Sequence, residues 1–190
     1  MSLRPLTSLS IVATALFAVL GTFTAQAADI KGTVWHIKAV HPEGRLLDVK
    51  ALDKAGNIYD VKAIERDGNL HMMDVRAFMK GKEVPVKVLV SNDKYEPVKA
   101  IGEDGTTYDI KALTPQKKRL DVKGIKRSDN IIHIKAIAAD GAFYGIKAFS
   151  SEGQLYDVKG VRMQEDKIEA TINGVPVAAH IKALPQAPEN

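Results

Sequence analysis

A basic residue returns about every twelve positions along this chain. The series runs Lys38, Lys50, Lys62, Arg76, Lys87, Lys99, Lys111, Lys123, Lys135, Lys147, Lys159 and Lys182, with Thr171 in the slot before the last. The preceding residue is Val or Ile in twelve of these thirteen cases, and Ala170 in the other. The following residue is usually Ala. A fixed period restricts a chain to one kind of supersecondary unit placed repeatedly beside itself. It also means that the most conspicuous residues recur for the needs of a lattice rather than for chemistry.

Taking the basic residue as position zero, the consensus is x-Tyr-Asp-Val-Lys-Ala-Ile followed by x-x-Asp-Gly-x. Clear copies are Ile58 to Ile64, Thr107 to Leu113 and Leu155 to Val161. The centre alternates apolar and charged residues and is rich in Val, Ile and Tyr, which predicts a short strand. Arg66-Asp67-Gly68, Glu103-Asp104-Gly105, Ala139-Asp140-Gly141 and Glu152-Gly153 fall between the strands. They predict type I turns closed by Gly in the left-handed region, and Asn173-Gly174 predicts a two-residue hairpin turn.

A parallel stack of the copies would set Lys over Lys and Asp over Asp, and like charges directly opposite are destabilising. An antiparallel hairpin in which Gly102 pairs with Thr106 instead sets Lys99 opposite Asp109, Ala100 opposite Tyr108, Val98 opposite Ile110 and Pro97 opposite Lys111. Extended along the chain, this register places each Lys against the next Asp, each Asp against the next Lys, Val against Val and Tyr against Ala. The expected fold is therefore all-β: an up-and-down antiparallel meander of about thirteen short strands, closed as a barrel or flattened barrel. The alternative is a two-layer sandwich. Trp35, Tyr59, Tyr108, Tyr144 and Tyr156 join the Val/Ile row on the hidden face. The spacing has one serious break, with fourteen residues from Lys62 to Arg76 and eleven from Arg76 to Lys87; Thr171 to Lys182 is also eleven, which fits the shorter Asn-Gly turn between them. Pro85 and Pro97 then occupy the Asp slot, where proline is confined to edges, strand starts and bulges. A bulge, corner or sheet boundary is expected between Leu70 and Pro97. An outer-membrane barrel is excluded, because its outer face must be apolar.

Residues 1–27 carry a basic start at Arg4, an apolar run from Leu9 to Leu20 and a small-x-small site at Ala25-Gln26-Ala27. This is the pattern of a secretory signal peptide removed after Ala27, leaving 28–190 as a single β-repeat domain. The chain has no cysteine, so no disulfide framework or thiolate metal site is available. The net charge of +4 is spread among interleaved acids and bases, unlike the one-sided basic patch of a nucleic-acid binder. A periplasmic or secreted location follows, without membrane insertion.

Few residues invite chemistry. His36, His133 and His180 all stand in the Asp slot, and imidazoles on one face are candidate metal ligands. First-to-last strand closure would bring His36 near His180. The favoured reading is replacement of Asp on a polar ladder, with no metal and no cofactor. His71-Met72-Met73 is read as core and rim rather than a copper site. The Asp-Gly turns lack the ligand spacing of an EF-hand. No nucleophile elbow, Walker loop or zinc-protease motif is present, so no enzyme activity is expected.

The Tyr-Asp-Val-Lys-Ala-Ile copies resemble an uncharacterised family of exported bacterial tandem-repeat proteins, over nearly all of residues 30–184. That resemblance implies no activity. The expected role is a non-enzymatic structural or interaction protein of the bacterial envelope, with an envelope protein or glycan as partner. The alternatives are a carrier of a small apolar ligand in a barrel lumen and a histidine-based metal protein.

Overall fold

Strict alternation of apolar and polar residues drives each repeat into extended backbone, and Gly or Asn ends it. In the computed structural model, residues 32–66, 68–126, 130–162 and 170–186 are described; the expected leader 1–27 and Asp67 of the expected Arg66-Asp67-Gly68 turn lie outside them. Thirteen strands form: β1 (Thr33–Val40), β2 (Leu46–Leu52), β3 (Ile58–Glu65), β4 (Met73–Met79), β5 (Lys82–Leu89), β6 (Glu96–Ile101) and β7 (Thr107–Leu113). They continue with β8 (Arg119–Lys126), β9 (Ile131–Ile137), β10 (Phe143–Phe149), β11 (Leu155–Val161), β12 (Ala170–Ile172) and β13 (Val175–Pro185). All pairings are antiparallel and belong to one sheet, so the arrangement is a closed single sheet rather than two separate layers.

The turns follow their residues. Gly44, Gly56, Gly105, Gly141 and Gly153 all have positive φ, and each closes a turn of the form Gly105 N–H to Gly102 O at 3.1 Å, with Gly102 N–H to Thr106 O at 2.8 Å. Asp104 Oδ1 accepts from Thr106 N–H at 2.9 Å and Asp140 Oδ1 from Ala142 N–H at 3.0 Å. The aspartates of these turns therefore serve the turn itself. Asn173 and Gly174, at φ 50° and 81°, make the two-residue hairpin between β12 and β13. Lys80 and Gly81, at φ 51° and 77°, make another between β4 and β5, which accounts for the shortened spacing from Arg76 to Lys87.

The register departs from the uniform one expected. In the hairpin of β6 and β7, Lys99 does face Asp109 and Ala100 does face Tyr108. The pairing then stops: Pro97 faces Lys123 of β8 rather than Lys111. The same splitting occurs throughout. β1, β2 and β3 pair with one another in all three combinations, and so do β6, β7 and β8. β9, β10 and β11 form a third such corner, and β4, β5 and β13 a fourth. Opposite edges of these strands form long ladders between corners: β1 with β10, β2 with β7, β3 with β4, β5 with β6, β8 with β9, and β11 with β13. Each corner is joined once to each of the other three. Four corners and six ladders have the connectivity of a tetrahedron, and the closed sheet leaves β12 as an appended hairpin arm.

The long ladders set cation opposite cation, as in Lys38 with Lys147, Lys50 with Lys111 and Lys123 with Lys135. This is the juxtaposition that the expected register avoided. It is relieved where the ammonium groups turn toward acceptors within their own corners, as Lys38 does to Asp48 and Lys147 to Asp157. Nor does Val meet Val as a rule. Ile37 faces Ala148 and Ala39 faces Ile146. The Tyr–Ala pairing does hold, with Ala51 opposite Tyr59 and Ala148 opposite Tyr156.

The region from Leu70 to Pro97 is a corner but not a sheet boundary. Three corners use three consecutive strands; β4 and β5 take their third, β13, from the C-terminal end. A register shift between Val177 and Ala179 of β13 accommodates this junction. Inside the closed sheet, the residues three before, one before and one after the basic residues form a single apolar core, with Glu96 the exception at the first of these positions. Trp35 is 1% exposed and packs on Tyr156, ring centroids 4.6 Å apart. Tyr59 meets Tyr108 edge-on at 6.2 Å.

Candidate functional site

The outward face of each corner is a rosette of three cations and the residues two positions before them. The pairing runs cyclically. In the β1–β2–β3 corner, Lys38 donates to Asp48, Lys50 to Asp60, and Lys62 to His36 Nδ1 at 2.9 Å. In the β9–β10–β11 corner, Lys147 donates to Asp157 and Lys159 reaches His133 Nδ1 at 3.4 Å. In the β4–β5–β13 corner, Lys182 donates to Asp74 at 2.6 Å and Lys87 contacts His180 Nδ1. In the β6–β7–β8 corner, Lys99 and Lys111 donate to Asp109 and Asp121, while Pro97 stands opposite Lys123.

The three histidines are thereby accounted for. Each closes a different rosette at the Asp position of its cycle, and no two share a corner. His36 and His180 are not neighbours: β1 pairs with β2, β3 and β10, whereas β13 pairs with β4, β5, β11 and β12. The structure does not bring the set together as one metal centre, and among the described residues no group of three or more His, Cys, Asp or Glu is placed to hold a metal. Met73 is 1% exposed and Met72 45% exposed, one in the core and the other at the rim.

Electrostatics differ between rosettes. The Lys62 ammonium, with burial and Lys38 adding to it, holds the His36 imidazole below its ordinary pKa, so it is neutral and accepts. At His180 burial acts first and Lys87 second, in the same direction. Burial opposes ionisation of Asp74, but hydrogen bonds from Lys182 and from Arg76, the latter at 2.8 Å, outweigh it and hold the carboxyl at about 2. Lys87 is 7% exposed, and burial, reinforced by Arg76, lowers its ammonium to about 8.

Two further features lie off the rosettes. Glu96 occupies the inward slot that holds an apolar or aromatic side chain in the other strands and is 5% exposed. Its Oε1 lies 3.2 Å from Lys126 Nζ and 3.6 Å from Arg162 Nη2, and Oε2 has no partner among the described residues. The slot arithmetic of the repeat exposes this substitution, because an acid where an apolar or aromatic side chain belongs is visible in the sequence. A cavity of about 390 Å³ is lined by Ile64, Arg66, Asn69, Met72, Asp74 and Lys182. It lies where the long β3–β4 connection meets the β4–β5–β13 corner. The centre of the β1–β2–β3 rosette holds a dimple of about 220 Å³, and the β6–β7–β8 rosette one of about 20 Å³.

Comparison with known proteins adds a family. The model of a family of unknown function, DUF7486, matches residues 31–184. The chain belongs to that family. No curated protein matches, and no solved structure matches. The DUF7486 match spans every described strand that builds the four corners, apart from the last residue of β13.

Proposed function

We propose that this DUF7486 protein is a non-enzymatic, exported protein of the bacterial envelope that acts by presenting its corners to a partner. The observation that carries the reading is the repetition of one outward arrangement, paired lysines and carboxylates around a corner, on a closed apolar core. Such a surface offers several equivalent contacts at fixed separations, and linked contacts strengthen binding without any single strong site. The leader-like residues 1–27 support export. The partner class that fits alternating ammonium and carboxylate groups is a polar envelope protein or glycan.

Two measurements test this. The mature protein recovered by osmotic shock should have the mass of a chain beginning at Ala28; recovery of an uncleaved chain in the cytosol overturns export. The purified protein should co-sediment with isolated envelope fractions, and Lys38→Gln/Lys50→Gln/Lys62→Gln should weaken this. Absence of co-sedimentation with every envelope fraction overturns the role. The carrier alternative requires a void among the Val, Ile and Ala side chains. The three cavities described above are all lined by charged groups of the outer face, and native mass spectrometry of fresh protein would reveal a carried ligand as adduct mass that denaturation removes.

A further inference from the structure

The four rosettes share a plan, and one of them buries a lysine with no carboxylate within ion-pair distance among the described residues. In the β1–β2–β3 corner three lysines face two carboxylates and a histidine. In the β4–β5–β13 corner Arg76, Lys87 and Lys182 face a single carboxylate, Asp74. That carboxylate is already shared, Oδ1 with Lys182 and Oδ2 with Arg76. Lys87 has no carboxylate within ion-pair distance among the described residues, and its partner is the neutral His180. A buried cation without a counter-charge is strongly unfavourable.

The histidine repeats the message. Nδ1 of His180 accepts from Lys87, so the ring proton sits on Nε2. Nε2 is buried and has no hydrogen-bond partner among the described residues. A buried donor left without an acceptor costs free energy of its own. A cation lacking an anion and a donor lacking an acceptor therefore stand side by side. Asp74 and Lys182 of this corner also line the cavity of about 390 Å³; Lys87 and His180 are not among its lining residues, so an ion entering there meets Lys182 first.

From this juxtaposition we infer that the β4–β5–β13 corner is a binding site for a small free oxyanion, carried as phosphate or carboxylate. Lys87 supplies the principal charge, Lys182 and Arg76 flank it, and a small rotation of the His180 ring turns the Nε2–H onto an anion oxygen. Asp74 keeps the two flanking cations in place and sets a limit on the ligand's charge. The β1–β2–β3 and β9–β10–β11 corners also set a lysine on a histidine, but there Lys62 lies 4.0 Å from Asp60 and Lys159 3.1 Å from Asp157. The inference stands apart from the envelope role proposed above and survives or fails separately.

The test is a titration of the mature protein with sodium phosphate and, in parallel, sodium acetate, each against sodium chloride at matched ionic strength. The readout is the side-chain ¹⁵N resonance of the His180 ring together with the thermal midpoint. The expected result is a saturable shift of the His180 signal with one of the two anions and not with chloride. Lys87→Met should weaken that binding by about tenfold or more, since it removes a charged hydrogen bond. Lys62→Met in the β1–β2–β3 corner should leave it unchanged. Lys87→Arg, which retains the charge should the first variant fold poorly, should keep measurable binding. A His180 signal indifferent to both anions overturns the site, and so does a shift of equal size in Lys87→Met.

Discussion

Val88 places a γ-methyl where a side chain on Gly124 would have to stand. Val88 fills the slot after the basic residue, which most strands give to Ala, and a Cβ on Gly124 would lie 3.2 Å from Val88 Cγ1 and 2.8 Å from Ile132 Cγ2. Gly160 is in the same situation, 3.1 Å from Val88 Cγ2 and 3.0 Å from Ile132 Cβ. One enlarged slot is thus matched by two emptied ones where β5, β8 and β11 converge. Neither glycine has positive φ, so the constraint is space and not backbone conformation. Gly124→Ala is expected to destabilise the fold by about 1–3 kcal/mol, the usual range for overpacking. With Val88→Ala present as well, Ile132 gains room to move, and the loss should be smaller than the sum of the two single losses. Urea unfolding of the four members of this double-mutant cycle measures the coupling; strict additivity would show that the two sites do not share the space.

Lys87 makes stability rise with pH on the alkaline side of neutrality. Its ammonium is lowered to about 8 in the folded protein, against about 10.4 in an unfolded chain. Between those values the unfolded chain holds a proton that the folded protein has released, and stability increases wherever the unfolded state binds more protons. At pH 7 both states are protonated and the buried charge weighs fully against folding. The two pKa values bound the gain at roughly 3 kcal/mol, fully present only above the unfolded value. Chemical denaturation from pH 7 to 10 should show this rise, and Lys87→Met should remove the slope while raising stability at pH 7. A wild-type profile that is flat or falls across this range, and is matched by the variant, would contradict the assignment.

Glu96 joins β6 to Lys126 at the end of β8 and Arg162 just after β11, and it does so from a position built for an apolar side chain. The cations are 58% and 32% exposed at their side chains, whereas Glu96 is 7% exposed. Removing the carboxylate therefore strands no buried charge, because both cations can turn to water. Replacing a buried ion pair by an apolar side chain of similar size is often neutral or stabilising. Glu96→Leu is expected to leave stability unchanged or to raise it by about 1 kcal/mol, as read from the urea midpoint. A loss above about 2 kcal/mol would mean that the ion cluster itself holds the three strands together.

Much of this fold was legible in the residues themselves. Alternation around Val61-Lys62-Ala63 specifies a strand, and Gly105 and Gly153 specify how it turns. The pairing of Lys99 with Asp109 follows from counting across the turn. What the repeat does not encode is where a ladder ends. Lys111, like Lys99, stands between a branched aliphatic residue and Ala, yet Pro97, expected opposite Lys111, faces Lys123. The branching comes from closing a twisted sheet around a core, a property of the whole surface and not of any one unit. The histidines show the same boundary. Their slot was readable, but the role that His36, His133 and His180 share, closing a three-strand cycle, needs the third strand of each corner. The burial of Lys87 could not be read from its flanking residues, Pro85 and Val88 included, since only the packing around β5 buries it.

Lys117 is the turn residue that breaks the glycine rule. It stands at φ 60° in the position held by Gly44, Gly56, Gly105, Gly141 and Gly153 in the other five turns of this type. Its N–H still donates to Thr114 O at 2.8 Å, and Thr114 N–H to Lys118 O at 3.0 Å, so the turn forms in spite of its residue. A left-handed conformation costs an ordinary residue roughly 1–2 kcal/mol. Glycine avoids that cost but loses more chain entropy on folding, by roughly 0.5–1 kcal/mol. The difference favours Lys117→Gly by about 0.5–1 kcal/mol. A β-branched residue has the greatest difficulty at positive φ, so Lys117→Val should shift the balance the other way. Thermal midpoints ordered Gly above Lys above Val would confirm that backbone conformation governs this position. An exposed lysine that instead resists both changes would place its contribution in the side chain.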